Sequence, residues 1–180
     1  MLKRIAISGL LMFLLAGCRP GGHQPESGVT TNTSAPAAVA ADAQVFPDFK
    51  VKGFDNQEIS LSQYRGKIVI LDLFATWCPP CRMEIPHFVA LQQAYAGKLA
   101  VVGLSYDQGA AKDVLAFAKN MKINYDIYWG SEEIARFVGM RGIPHTLVLD
   151  AQGHVVKTYV GYQDKAVFEK DIQDLLGKAL

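Results

Sequence analysis

The chain has 180 residues, enough for one ordinary domain with appendages. Half of its residues are hydrophobic and 19% are charged, which excludes wholesale disorder. With 18 basic against 17 acidic side chains there is no charge excess with which to grip nucleic acid.

The first element is a leader. Met1–Arg4 is a short basic start, and Ile5–Ala16 is an apolar run of 12 residues interrupted only by Ser8 and Gly9. A bilayer span needs about 20 residues, so the run fits the apolar core of a signal peptide. It ends in Leu15-Ala16-Gly17-Cys18, which resembles the bacterial lipoprotein signal. That resemblance implies residues 1–17 as a removed signal peptide and a lipid on Cys18. One acyl chain binds a membrane only marginally, hence the use of several. The plainer alternative is an ordinary secretory signal with an incidental cysteine. Without Lys3 and Arg4, 16 basic side chains face 17 acidic ones, a balance of −1. Residues 18–44 then form the lipidated cysteine and a spacer rich in Gly, Pro, Ser, Thr and Ala. The spacer has too little apolar surface to offset chain entropy and reads as disordered, with a reach on the order of 30 Å. His23 falls in it and reads as a solvated side chain. Arg19 after Cys18 argues, by analogy with lipoprotein sorting, against retention in the inner membrane, though either membrane stays open.

The folded domain is expected over residues 45–180. Phe49–Val51 and Glu58–Leu61 flank Asp55-Asn56-Gln57 and predict an N-terminal hairpin. Lys67–Phe74 and Leu99–Ser105 are apolar runs of strand length, as in strands buried on both faces. A helix from Pro79 to about Ala96 lies between them, giving the strand–helix–strand order of a parallel sheet. Val114, Phe117, Ala118 and Met121 follow at helical spacing, then a short strand at Tyr125–Tyr128 and a helix capped by Ser131 that runs through Val138. Thr146–Leu149 and His154–Tyr159 predict an antiparallel hairpin, and Phe168, Ile172, Leu175 and Leu176 mark a closing amphipathic helix. The sum is an α/β domain with a mixed central sheet, helices on both faces, an N-terminal hairpin and an inserted α/β segment.

The chemistry sits at Cys78-Pro79-Pro80-Cys81. The third cysteine, Cys18, belongs to the leader, so no pair remains for a structural disulfide elsewhere. A Cys-X-X-Cys pair after a buried strand and at a helix start has its first thiolate stabilised by free N–H groups and the helix dipole. Cys78, with its sulfur expected at the surface, is the candidate nucleophile, and Cys81, one turn further in, the resolving thiol. Half of a zinc site is the competing reading, but neither a second cysteine pair nor a His-x₃₋₅-His cluster is present. No metal and no cofactor beyond the redox-active pair is expected.

Ala75-Thr-Trp-Cys-Pro-Pro-Cys81, with Pro86 five residues on and a distant Gly142-Ile143-Pro144, resembles the thioredoxin superfamily. The hairpin, the Leu61–Lys67 lead-in and the segment from about Tyr106 to Tyr128 narrow the resemblance to the membrane-anchored thiol–disulfide oxidoreductases named for TlpA and ResA. The resemblance covers Phe46–Leu176 and implies a thioredoxin-like fold. It also implies that Pro144 is a cis-proline facing the cysteines, with Ile143 before it, and that Trp77 flanks the site; an ordinary trans proline and a core tryptophan are the plainer alternatives. Pro86 is expected to kink its helix. Asp72, six residues before Cys78, matches an aspartate that exchanges a proton with the resolving thiol; Glu84 resembles an acidic residue that tunes the thiols. A satisfied polar residue at a strand edge and a solvated glutamate are the plainer readings. Burial of Asp72 in so apolar a strand would raise its pKa.

The resemblance further implies protein thiol and disulfide clients, apocytochrome c among them, an electron-donating membrane thiol transporter, and a lipid-anchored place in the bacterial cell envelope facing the periplasm. Because Pro79 and Pro80 lack N–H donors, the Cys78 thiolate is expected to be less stabilised than in strong oxidants, and the couple reducing. A thiol peroxidase is disfavoured by the absence of a Pro-x-x-x-Thr-x-x-Cys pattern, and a copper carrier of the Sco type by the two-residue cysteine spacing. His145 departs from the small hydroxyl residue usual after the proline and either faces the sheet interior or approaches the site. His87 is expected on a helix surface and His154 in a strand, while Met83 and Met140 read as packing residues.

Overall fold

The computed structural model describes residues 44–178, so the leader, Cys18 and all of the spacer but its last residue, Gln44, lie outside the described residues. The two apolar runs become the centre of the architecture, strands β3 (Ile68–Phe74) and β4 (Leu99–Ser105), every residue of both being buried. They pair in parallel from Ile68↔Leu99 to Phe74↔Ser105. The connection between them is helix α1 (Pro79–Ala94), since parallel neighbours need a crossover. Around this core lie β1 (Lys50–Lys52), β2 (Glu58–Ser60), β5 (Asp126–Trp129), β6 (His145–Leu149) and β7 (Val155–Val160). Helices α2 (Ala111–Asn120), α3 (Glu132–Phe137) and α4 (Lys165–Lys178) complete the described elements, with a 3-10 turn at Leu61–Tyr64. The sheet order is β2-β1-β5-β4-β3-β6-β7. The β3, β4 and β5 strands are parallel, and β6, β7, β1 and β2 join antiparallel. The mixed sheet of a thioredoxin-like α/β fold is thus present, with helices on both faces.

Alternation along the strands sorts the core into two layers. On one face Leu71, Leu73, Val102, Leu104, Leu147 and Leu149 pack against Ile134 and Phe137 of α3 and against Phe46. Phe46, Phe49 and Phe137 meet edge-on with centroids 5.3 to 5.5 Å apart. On the other face Ile68, Ile70, Leu99, Val101 and Val148 meet Phe88 and Leu91 of α1 and Phe168 and Ile172 of α4. Each fully buried large side chain contributes about 1.5–3 kcal/mol by leaving water. A third cluster closes the end of β3, where Phe74, Ala75, Cys78, Cys81 and Ile85 join Phe117 of α2 and Met121 just past its end.

Ser131 caps α3 as its residue type predicts, its Oγ accepting from Ile134 N–H at 3.2 Å. Pro86 lies inside α1 without ending it. His154 precedes β7 instead of lying within it: it bridges to Val45, and its ring nitrogen is 2.9 Å from Asp150 Oδ2. The Asp150 carboxylate also takes the His154 N–H, at 2.8 Å. Among the described residues no helix is long and apolar enough to cross a membrane.

Candidate active site

The β3 strand brings the chain to the carboxyl end of the parallel strands, where open α/β sheets place their sites. A turn follows, Cys78 N–H donating to Ala75 O at 3.1 Å. Cys78 is the N-cap of α1, and Pro79 and Pro80 fill the first helical positions, where a missing N–H costs nothing. The first donor α1 offers is therefore Cys81 N–H, 3.3 Å from Cys78 Sγ. Cys78 and Cys81 form a disulfide, their Cα atoms 5.3 Å apart.

The expectation of an exposed Cys78 sulfur does not hold in this oxidised form. Cys78 is 3% exposed and Cys81 1%. Both belong to the cluster with Phe74, Ala75 and Ile85, and Ile143 packs against it. Trp77 beside them is 66% exposed, so it is no core tryptophan, and Met83 at 60% is not a packing residue either. Both apolar side chains lie in solvent because their neighbours on α1 and in the turn take the inward positions. The Ile143–Pro144 bond is cis, Pro144 is buried, and its carbonyl accepts from Gly161 N–H at 2.8 Å.

The two elements that meet at the cysteines each bury an acid, Asp72 on β3 and Glu84 on α1. Asp72, 1% exposed, sits mid-strand opposite both Gly103 and Thr146, and neither of its oxygens has a hydrogen-bond partner. The strand-edge reading of Asp72 fails because β3 is central. Burial, reinforced by the Glu84 charge, lifts its pKa well above the usual carboxylate range. Glu84 is completely buried, because it shares the inward face of α1 with Cys81, Ile85 and Phe88. It accepts from Gln163 N–H at 2.8 Å and from Thr146 Oγ1 at 3.4 Å. Burial pushes Glu84 up to about 7, those two bonds opposing the rise.

Three participants went unread in the sequence. Tyr125 has a buried hydroxyl without a partner, and burial together with the charges of Asp72 and Glu84 raises its pKa. The available signal was Gly103 in mid-strand, since a strand glycine marks close approach: a Cβ there would lie 2.9 Å from Ile127 and 3.4 Å from Tyr125. Gln163 contributes only its backbone N–H, for which no residue type is diagnostic. Asp107 binds the turn before Cys78, with Thr76 N–H at 3.0 Å and Thr76 Oγ1 at 2.6 Å from its carboxylate.

His145 faces the sheet interior, 2% exposed and opposite Leu73, so alternation turns it away from Asp72. Neither ring nitrogen has a partner, and burial lowers its pKa. His87 is half-buried rather than on the surface, its ring 5.8 Å from that of Tyr162, which folds over it. Met140 packs against the core as expected. Among the described residues no three His, Cys, Asp or Glu side chains gather closely enough to hold a metal ion.

Residues 43–158 match the AhpC/TSA family. The chain belongs to that family. The Thioredoxin-like protein YneN of Bacillus subtilis is 34% identical over 133 residues, which cover 73% of this chain and 78% of that one. The Thiol-disulfide oxidoreductase ResA of Geobacillus thermodenitrificans is 29% identical over 131 residues, 72% of this chain and 75% of its own. Among solved structures, a thiol:disulfide interchange protein of the thioredoxin family from Chlorobium tepidum superposes with a TM-score of 0.65 at 34% identity, over 76% of this chain and 99% of that one. This AhpC/TSA member is a thioredoxin-like thiol–disulfide oxidoreductase.

Proposed function

We propose that the chain is a reductase for disulfides of exported proteins, with Cys78 as attacking thiol and Cys81 as resolving thiol. The observation that carries the reading is the Cys78–Cys81 disulfide at the start of α1, between a strand that buries Asp72 and a helix that buries Glu84. The reduced Cys78 thiolate attacks a client disulfide, making a mixed disulfide and releasing one client thiolate. Cys81, losing its proton to Asp72, attacks Cys78 Sγ, re-forming the internal disulfide and releasing the second client thiolate. Two electrons reach the client, and an external dithiol must restore the pair. Glu84 tunes the thiols, while Trp77, Ile143 and the cis Pro144 line the approach. No further cofactor is needed for this exchange.

What supports a reducing direction is the pair of prolines, which leaves Cys81 N–H as the donor to Cys78 Sγ. The leader supports a place in the cell envelope, lipid-anchored through Cys18 and facing the periplasm, with residues 18–44 as tether and 45–180 as the domain. A membrane thiol transporter as donor and apocytochrome c as client follow from the family resemblance. Labelling with a radioactive fatty acid is expected to mark the wild type and not Cys18→Ser; equal label on both would remove the anchor.

Reduction of insulin by dithiol tests the activity. Wild type is expected to accelerate it, Cys78→Ser to abolish the acceleration, and Cys81→Ser to accumulate mixed disulfides whose captured proteins name the clients. Full activity in Cys78→Ser would sink the reading.

A further inference from the structure

Where the two parallel strands end, one carboxylate ties their outgoing loops together. Asp107 lies two residues beyond β4, and Tyr106 N–H still donates to Phe74 O at 2.8 Å, so the β3 and β4 ends remain in register up to this point. From there both Asp107 oxygens turn toward the turn that carries the cysteines. Thr76 N–H lies 3.2 and 3.0 Å from the two oxygens, and Thr76 Oγ1 donates to Oδ1 at 2.6 Å. The carboxylate is aimed in its turn: buried Ser105 donates its hydroxyl to Oδ2 at 2.8 Å and accepts from Asp107 N–H at 3.3 Å. The loop is braced on its far side as well, Tyr106 O–H donating to Ser131 O at 3.0 Å.

We propose that Asp107 is a positioning residue for the cysteine pair, its carboxylate gripping the backbone and hydroxyl of Thr76 and so fixing the turn that presents Trp77 and Cys78. The inference rests on Cys78 as the attacking thiol. Thr76 is the second residue of the Ala75–Cys78 turn, and Trp77 next to it stands in solvent with no core to hold it. The orientation of Cys78 is thus set from two sides. The α1 helix holds it from behind, through Arg82 N–H to Cys78 O at 3.1 Å, and Asp107 holds it from in front. A carboxylate is the side chain suited to the task, since it accepts from a backbone N–H and a hydroxyl at once. Its charge has a second consequence. The carboxylate is bound to Thr76, two residues before Cys78, and because Asp107 is half-buried and Cys78 buried, salt screens this charge less than one at the surface. The negative charge therefore opposes ionisation of Cys78, and the two Thr76 donors moderate that opposition.

The test uses the reduced full chain and two readouts: the rate of reaction with a disulfide substrate, and the rate at which iodoacetamide alkylates Cys78 at mildly acidic pH, which follows its thiolate fraction. Thr76→Val, close in shape to threonine, is expected to slow disulfide reduction about tenfold and to slow alkylation. Thr76→Ser restores both to within about twofold, because it keeps the hydroxyl that accounts for the effect. Asp107→Asn, which removes charge but keeps an acceptor, moves alkylation the other way and speeds it. A role confined to stability cannot produce opposite signs, and the unfolding midpoints of the Thr76 variants serve as the control. Wild-type rates in both Thr76→Val and Asp107→Ala would overturn the inference, as would alkylation changes of one sign in Thr76→Val and Asp107→Asn. A wild type that reduces no disulfide overturns the reductase reading instead, while the alkylation comparison still decides the clamp.

Discussion

Asp72 and Glu84 are where single residues set the behaviour of the site. Both are carboxyls whose charged forms are disfavoured by burial, and the Glu84 charge pushes Asp72 further up. Their effect on stability has a definite sign. Glu84 titrates near 7 in the fold and at its ordinary value of 4.5 once unfolded. Between those values the native state holds a proton that the unfolded state has released, so stability falls as pH rises through the window and is level above it. The rise of Asp72 acts in the same direction from a lower starting point. The full Glu84 effect is on the order of 3 kcal/mol, so thermal unfolding of oxidised wild type should drop between pH 5 and pH 8, and Glu84→Gln should flatten the curve. Burial of His145 has the opposite sign, removing stability as pH falls below 6.5, so the comparison is made between wild type and Glu84→Gln, which share that histidine. Asp72→Asn is expected to slow disulfide exchange at neutral pH in a folded protein; unchanged stopped-flow rates would remove Asp72 from proton exchange with Cys81.

At the scale of elements, the site is a junction between the ends of β3 and β4 and the start of α1. Gly103 makes the junction possible on the β4 side. It stands opposite Asp72, and the absence of a side chain lets Phe74, Ile127 and Tyr125 close over it. Gly103→Ala would put a Cβ 2.9 Å from Ile127 Cγ2 and 3.0 Å from the Phe74 ring. The expected cost is about 1–3 kcal/mol, read as a lower denaturant midpoint with an unchanged slope. An unchanged midpoint would mean that the cover over Asp72 yields freely. The loop after β7 closes the junction from the other edge, Gly161 binding the Pro144 carbonyl and Gln163 the Glu84 carboxylate. The loop that positions the cis-proline and the buried Glu84 are therefore held by one short stretch, Gly161–Gln163.

For the molecule as a whole, redox state and stability are linked. The disulfide closes a loop of separation 3, and chain-entropy reasoning gives it about 2 kcal/mol through constraint of the unfolded chain. A couple that favours its disulfide form is by the same linkage a reducing one. The oxidised protein is thus expected to unfold at higher denaturant than the reduced; the reverse order would mark an oxidising couple and contradict the proposed direction. The sequence by itself determined the central strands, the crossover helix and the place of the cysteines, because two continuous apolar runs and a Cys-X-X-Cys at a helix start are local patterns that depend only on nearest neighbours in the chain. It did not determine the burial of Cys78, the inward turn of Glu84 and His87, or the meeting of Tyr125 with Asp72 and of Asp107 with Thr76. Those were decided by tertiary structure, since the partners lie 31 or more residues apart and become neighbours only when strand register and helix rotation are fixed together.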